Sequence, residues 1–213
     1  MKGLLARWFG TAQTTPLRAA RWMVVDCETS GLDAARDRLL AVGAVAVRGG
    51  RIELGESFSA LLRQDVASDA ENILVHGIGG DAQRSGRAPG EALRELSEFL
   101  GDGLPVAYHA PFDEEVLRRA MAQQPGLRAP RHWLDLARLA PVLYPGPEKA
   151  RRSLDDWLGE FGIACPARHD ALADAYATAQ LLLVLLAEAE RQGAGTVGGL
   201  RQLERSGRWL ASG

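Results

Sequence analysis

The sequence predicts an α/β fold in which one mixed sheet is flanked by helices. Three apolar segments come early, and a Gly-Gly pair between the second and the third has the composition of a hairpin turn. Helical and strand patterns then alternate along the rest of the chain, which is typical of a mixed sheet covered by helices. The length of 213 residues fits a single domain, with or without short extensions.

The first three strands are predicted from short apolar runs. WMVVD, which begins at Trp22, fits a buried strand. LLAVGAVAV at 39–47 is a second such run, and Gly49-Gly50 turns the chain into a third strand from about Ile52 to Leu62. The sequence therefore places three strands before residue 63.

Helices and two further strands follow. Residues 90–100 place four apolar side chains on one stripe of a helix: Leu93, Leu96, Phe99 and Leu100. LPVAYH at 104–109 is the fourth predicted strand, a helix begins at Pro111, and WLDL at 133–136 is the fifth strand. Short helices fill 137–162, and 170–191 is the longest helical pattern. That last pattern is apolar on almost every side, as expected of a helix packed against a sheet.

We divide the chain into three parts. Residues 1–20 form a basic N-terminal extension with Lys2, Arg7 and Arg18 and no acid. This extension is interpreted either as a loosely packed segment or as a surface that touches a membrane, a partner or nucleic acid. Residues 21–192 form the main domain, and 193–213 form a Gly-rich joint and a short C-terminal helix.

Composition excludes several classes of protein. Hydrophobic residues make up 46% and charged residues 24% of the chain, which excludes a disordered or fibrous protein. The net charge of −2 excludes a polycation that coats nucleic acid, although it permits a local basic groove. Two cysteines are too few for a disulfide framework. Because the longest apolar run, residues 181–187, falls short of a membrane span, we expect a cytoplasmic chain without one.

Two carboxylates lie together at the end of the first predicted strand. Asp26 and Glu28 are two residues apart in VVDCETSGLD (24–33), so both point to the same face of the sheet. Two carboxylates repel each other unless a cation or a proton lies between them. The turn from Thr29 to Leu32 places backbone amides, hydroxyls and an apolar tip beside them.

Two later segments add further acids and a histidine. Asp113, in AYHAPFDEEVL, follows the fourth strand in the first turn of a helix, where either adjacent glutamate could equally stabilise the helix dipole. In RHDALADAYATAQ, His169 and Asp174 are five residues apart and converge only if His169 precedes the helix. Asp174 then lies on a mostly buried helix and requires a metal or a hydrogen-bond donor.

These three segments, in this order, resemble the three motifs of the DEDDh 3′→5′ exonucleases. This DnaQ-like superfamily includes the proofreading ε subunit of bacterial DNA polymerase III and enzymes that trim RNA 3′ ends. The resemblance implies a ribonuclease H-like fold, with a mixed five-stranded sheet flanked by helices in a single domain, and makes residues 21–192 the exonuclease domain. The residues that match the letters of the superfamily's name are Asp26, Glu28, Asp113, Asp174 and His169.

The resemblance also implies a reaction. The four matching acids would hold two divalent cations, and four carboxylates suit Mg²⁺ or Mn²⁺ better than zinc. His169 would be the general base that deprotonates the attacking water, and nucleoside 5′-monophosphates would leave a DNA 3′ end. The VHGI segment at 75–78 resembles a substrate-contacting segment of the superfamily. The implied contacts to the terminal nucleotide are Thr29, Ser30, Gly31, Leu32, His76 and Phe112.

The sequence leaves other interpretations open. A ribonuclease acting on RNA 3′ ends would use the same scaffold, since one contact to a 2′-hydroxyl can decide the preference. A further alternative is that the chain is not an enzyme but a binding module that associates with a polymerase. Such a module has no need of four clustered carboxylates. A single-stranded 3′ end is the expected partner, whereas a DNA polymerase partner and the oligomeric state stay open. The superfamily has His-Asn-Ala where this chain has Tyr108-His109-Ala110, so we expect a change in local geometry or substrate preference there.

Overall fold

The computed structural model describes residues 13–146 and 152–210, and the side chains of 208–210 are not considered. Most of the predicted basic extension, including Lys2 and Arg7, therefore lies outside the described residues. The part of it that is described packs against the fold. Leu17 is 1% exposed, and its backbone N–H donates to the carbonyl of Gly195 at 3.1 Å, just before the last helix.

Five strands form one mixed sheet in the order β3-β2-β1-β4-β5. Their bounds are β1 Trp22–Thr29, β2 Leu39–Arg48, β3 Arg51–Leu61, β4 Leu104–Ala107 and β5 Leu134–Asp135. The first three strands pair antiparallel, while β4 is parallel to β1 and β5 is parallel to β4. Gly49 and Gly50 both have positive φ, 62° and 74°, as the tight turn between β2 and β3 requires. The predicted fold class is confirmed.

Eight named helices lie in the described part of the chain. They are α1 Ala70–His76, α2 Gly80–Ser85, α3 Pro89–Leu100, α4 Ala110–Ala122, α5 Leu136–Leu143, α6 Leu154–Phe161, α7 Ala171–Arg191 and α8 Val197–Leu210. The sequence pattern did not predict α1 and α2, because helices of seven and six residues are too short to show a full hydrophobic period. The fifth strand is shorter than predicted, since Asp135 already caps α5 by accepting a hydrogen bond from the N–H of Ala137 at 3.1 Å.

The sheet has a hydrophobic core on each face. Side chains of β1 alternate between the faces, with Trp22 and Val24 in one cluster and Met23 and Val25 in the other. The first cluster lies under α5, α6, α7 and α8, and the second lies under α3 and α4. This alternation decides which face receives each functional side chain at the end of β1.

Helix α7 is long and apolar enough to cross a membrane by length and composition, alone among the helices in the described ranges. Within the fold, 61% of its apolar window is buried, and it packs against β1 and β2. These contacts are those of the core helix that the sequence predicts for 170–191.

Candidate active site at the end of strand β1

The first turn of α7 lies directly over the end of β1. Asp26 pairs with Gly43 of β2, and a Cβ atom on Gly43 would come within 2.3 Å of the backbone of Ala171 and Leu172. Only a glycine permits this close approach of helix to sheet. Asp26 and Glu28 lie two and four residues after Val24, so their side chains are on the same face of the sheet as Trp22 and Val24 and face α7.

His169 and Asp174 meet at the start of α7. His169 lies in the loop before the helix with φ 65°, and its backbone N–H donates to Oδ2 of Asp174 at 2.8 Å. The Asp174 carboxylate is almost fully buried, whereas the His169 side chain is exposed. Glu28, His169 and Asp174 each offer one possible ligand atom, and these atoms lie within 4.8 Å of one another. The fold thus brings the first and third sequence motifs together.

Asp113 approaches the same region from α4. It lies in the first turn of that helix and is 5% exposed, whereas Glu114 and Glu115 are only partly buried. Burial raises the pKa of Asp113 to about 7, although hydrogen bonds from the Cys27 thiol and from backbone N–H groups act to lower it. Cys27 therefore supports the carboxylate that the second motif supplies.

The four carboxylates repel one another strongly. Burial raises the pKa of Asp26 well above its usual range, and three neighbouring charges raise it further: Asp113, Asp174 and Glu28. Burial and then the charge of Asp174 raise the pKa of Glu28 to about 7. Such a cluster retains protons near neutral pH unless cations replace them. A donor set of carboxylate oxygens fits hard divalent cations such as Mg²⁺ or Mn²⁺.

The loop after β1 is held rigidly by hydrogen bonds. Thr29 Oγ1 donates to the carbonyl of Gly31 at 2.6 Å, and Ser30 Oγ donates to Asp37 Oδ1 at 3.1 Å. Asn72 of α1 donates to the carbonyl of Ser30 at 2.6 Å, so α1 lies against this loop. The side chain of Leu32 projects from it and is 94% exposed.

The other two predicted substrate contacts, His76 and Phe112, come from later elements, α1 and α4. His76 is buried, its Nδ1 accepts from the N–H of Ile78 at 2.9 Å, and its Nε2 lies 3.3 Å from Ser68 Oγ. Burial and then the nearby His169 lower the pKa of His76, so the ring is neutral and carries its proton on Nε2. Phe112 is half-buried and packs on the core beneath α4.

His109 occupies the position where the superfamily has asparagine. It is the N-cap of α4 with φ 60° and ψ 45°, a left-handed conformation that Asn, Asp and His adopt more often than other residues. Its ring makes an edge contact with Tyr108, with ring centroids 4.9 Å apart. The histidine therefore keeps a backbone turn that suits asparagine, and the start of α4 is well formed.

The sequence did not predict the contacts that two arginines make near the site. Arg119 donates to the carbonyls of three residues in the loop after β1, at 2.7 to 3.1 Å: Ala34, Arg36 and Asp37. Arg168 pairs with Asp174 and donates to Asp155 at 2.6 Å. The one signal for Arg168 was its position beside His169, whereas nothing local connects Arg119 with the loop.

Comparison with known proteins identifies the family. Residues 23–182 match the exonuclease family RNase_T. A DNA polymerase III subunit epsilon-like protein of Rhodobacter capsulatus is 34% identical over 200 residues, which cover 92% of this chain and 28% of that protein. The PolC-type DNA polymerase III of Thermotoga maritima is 33% identical over 165 residues, which cover 77% of this chain and 12% of that protein. The chain thus spans less than a third of the length of these relatives.

Solved structures share the fold. Escherichia coli exonuclease I in complex with a dT13 oligonucleotide superimposes with a TM-score of 0.68 at 19% identity, covering 81% of this chain and 42% of that one. Exonuclease X in complex with 5′-overhanging duplex DNA gives a TM-score of 0.67 at 22% identity, covering 86% of this chain and 99% of that one. The predicted ribonuclease H-like fold is therefore confirmed. The chain belongs to the exonuclease family, and its predicted membership of the DEDDh superfamily is confirmed.

Proposed function

We propose that the chain hydrolyses phosphodiester bonds at DNA 3′ ends by a two-metal mechanism and releases nucleoside 5′-monophosphates. The observation that carries this proposal is the meeting of β1, α4 and α7 at one place. Each of these elements contributes at least one carboxylate to a cluster in which the charges of three other acids raise the pKa of Asp26. A binding module would gain nothing from such mutual repulsion, which has a cost in stability unless cations bind.

Four residues would hold the cations: Asp26, Glu28, Asp113 and Asp174. Bound divalent ions would stabilise charge on the scissile phosphate and lower the pKa of an attacking water. Asp26 is suited to be the shared ligand, because the charges of both Asp113 and Asp174 act on it. Mg²⁺ and Mn²⁺ are the ions that this oxygen-rich set favours.

His169 is proposed as the general base. Its ring is exposed, and a hydrogen bond between its backbone N–H and Asp174 fixes the position of the loop. A ring nitrogen placed in this way can accept the proton of the attacking water, and a positioned base of this kind contributes about 10²–10⁴-fold to rate.

The terminal nucleotide is proposed to lie against the loop after β1 and the face of α1. Leu32, Leu74 and Val75 are 94%, 86% and 58% exposed, and the contact between Asn72 and Ser30 brings their two segments together. Exposed apolar side chains that lie close together can pack against the face of a base. The proposed contacts are those that the sequence predicts: Thr29, Ser30, Gly31, Leu32, His76 and Phe112.

The rest of the strand is proposed to follow a basic groove along α4. This groove has a volume of about 410 Å³ and runs between α4, from Glu114 to Ala122, and the loop of residues 127–132. It begins at Glu114, one residue after Asp113 in the sequence. Its charged lining residues are three arginines, Arg118, Arg128 and Arg131, and the single acid Glu114. Arg128 and Arg131 are exposed and form no ion pair with another described residue, so they are available to phosphates.

The similar proteins favour DNA over RNA. One relative is named as similar to the epsilon subunit of DNA polymerase III, another as a PolC-type DNA polymerase III, and two structural neighbours hold DNA. These names support DNA as the substrate, a polymerase as a partner and the cytoplasm as the location, all of which stay predictions for this chain.

Digestion of three labelled substrates side by side tests the proposed function. Single-stranded DNA, DNA duplex with a mismatched 3′ end and single-stranded RNA would each be incubated with Mg²⁺ or Mn²⁺. We expect both DNA substrates to shorten from the 3′ end and to yield nucleoside 5′-monophosphates. Faster digestion of RNA would make the chain an exoribonuclease. No digestion of any substrate, with no divalent-ion binding by calorimetry, would favour the non-catalytic module.

A further inference from the structure

Arg168 places a positive charge inside the carboxylate cluster. Its guanidinium pairs with Oδ1 of Asp174, and its Nε donates to Oδ1 of Asp155 at 2.6 Å. The two partners differ in exposure, because the Asp174 side chain is 4% exposed and the Asp155 side chain is 64% exposed. Arg168 therefore connects a buried acid of the site with an acid on the surface of α6.

The charge of Arg168 reaches beyond its two hydrogen-bonded partners. It lowers the pKa of both Asp26 and Glu28, in opposition to the burial and the neighbouring acids that raise them. Within the described ranges, Arg168 is the arginine that acts on three of the four carboxylates. A divalent cation among the same carboxylates would repel it.

We propose that Arg168 is an exchangeable counter-ion of the metal site. In the metal-free protein its guanidinium neutralises Asp174, and it releases that carboxylate when a divalent cation binds. Asp155 retains the displaced side chain through Nε, so that the arginine stays at the edge of the cleft. This inference rests on the proposed metal site and concerns how that site is kept stable before it is filled.

Titration of Ca²⁺ into nucleic-acid-free protein, followed by calorimetry, tests this exchange without catalysis. Arg168→Gln removes the competing charge, so we expect Ca²⁺ to bind about five- to tenfold more tightly than to the wild type. The melting temperature of the same variant in chelator should fall, because the buried carboxylates lose their counter-ion. Arg18→Gln is the matched control, because Arg18 pairs with Glu190 at 2.9 Å on the surface and should leave Ca²⁺ affinity unchanged.

Asp155→Asn provides a second variant with the opposite expectation. Asp155 is exposed, so its replacement should leave the fold intact. The displaced Arg168 then has no charged partner on α6, and we expect Ca²⁺ affinity to fall severalfold. Because this loss depends on the arginine, it should largely disappear in the double variant Arg168→Gln/Asp155→Asn.

The outcomes separate this inference from the proposed function. Unchanged or weaker Ca²⁺ binding by Arg168→Gln would overturn the counter-ion role, even if the wild type binds Ca²⁺ and digests DNA. An equal loss from Asp155→Asn with and without Arg168 would also overturn it, because the loss would then come from the charge of Asp155 alone. No binding of Ca²⁺, Mg²⁺ or Mn²⁺ by the wild type would overturn both this role and the proposed metal site.

Discussion

The metal-free protein should lose stability as the pH rises from 5 to 8, because the pKa values of Asp26, Glu28 and Asp113 are all raised in the folded state, and Asp113 should contribute a measurable share of the loss. Burial raises the pKa of Asp113 from its ordinary value of 3.8 to about 7 in the folded protein. Between these two values the folded state binds a proton that the unfolded state has released. The free energy of unfolding therefore falls as the pH rises through this range, and the loss is complete above pH 7.

The size of this effect follows from the difference between the two pKa values. A difference from 3.8 to about 7 corresponds to about 4 kcal/mol at most. Asp113→Asn removes the titration, so at pH 8 it should be more stable than the wild type by about 2–4 kcal/mol, and at pH 4 the two should be nearly equal. For a chain of this length the expected rise in melting temperature at pH 8 is about 10 °C.

Thermal unfolding of both proteins in chelator, at several pH values, measures this difference. His76 acts in the opposite direction, since its lowered pKa favours the folded state as the pH rises. That contribution is common to both proteins and cancels in the comparison. Addition of Ca²⁺ at pH 8 should stabilise the wild type more than the variant. A stability difference that is independent of pH, or an Asp113→Asn variant less stable than the wild type at pH 8, would refute this reasoning.

Three other predictions concern the base, the helix placement and the strand path. His169→Ala should slow the reaction by about 10²–10⁴-fold and flatten its pH dependence near neutrality, and an unchanged pH profile of kcat would argue against a base. Gly43→Ala should lower the free energy of unfolding by about 1–3 kcal/mol and reduce kcat, because the added Cβ atom would lie only 2.3 Å from the backbone of α7. Gly55→Ala is the control in the denaturation and kinetic measurements, since a Cβ atom there would have nothing within 4 Å. Arg128→Gln/Arg131→Gln should weaken binding of long single-stranded DNA and reduce its salt dependence, while hydrolysis of the p-nitrophenyl ester of thymidine 5′-monophosphate stays unchanged. The exposed pair Arg48→Gln/Arg51→Gln, at the hairpin on the opposite edge of the sheet, is its matched control, and equal losses in both double variants would exclude the basic groove.

Much of the fold could be predicted because its central strands β1 and β2 are apolar and the turn from β2 into β3 carries glycine. Strand β2 is buried on both faces, and residues 39–47 are therefore an almost continuous hydrophobic run that predicts a buried strand. The short helix α1 gave no such signal, since Leu74 and Val75 are exposed and its one buried residue is His76. That helix supports the loop after β1, so part of the proposed substrate pocket was not visible in the pattern.

The site could be predicted only in part. Local sequence does not distinguish Asp113 from Glu114 and Glu115, because all three lie near the positive end of α4. The resemblance to a family selected Asp113, and this residue is the one that the fold buries. Arg168 was missed for a different reason. Its partners Asp155 and Asp174 are 13 and 6 residues away and meet it only when α6 and α7 come together.

The central claim is that the carboxylate cluster drives removal of nucleotides from DNA 3′ ends. It is tested most directly by digesting 5′-labelled single-stranded DNA with Mg²⁺ and comparing the wild type, Asp26→Asn and Asp102→Asn. Asp102 is an exposed acid before β4, at the other end of the sheet, and makes the substitution a matched control. We predict stepwise shortening and release of nucleoside 5′-monophosphates by the wild type and by Asp102→Asn, with no detectable shortening by Asp26→Asn. Wild-type rates from Asp26→Asn would contradict the claim.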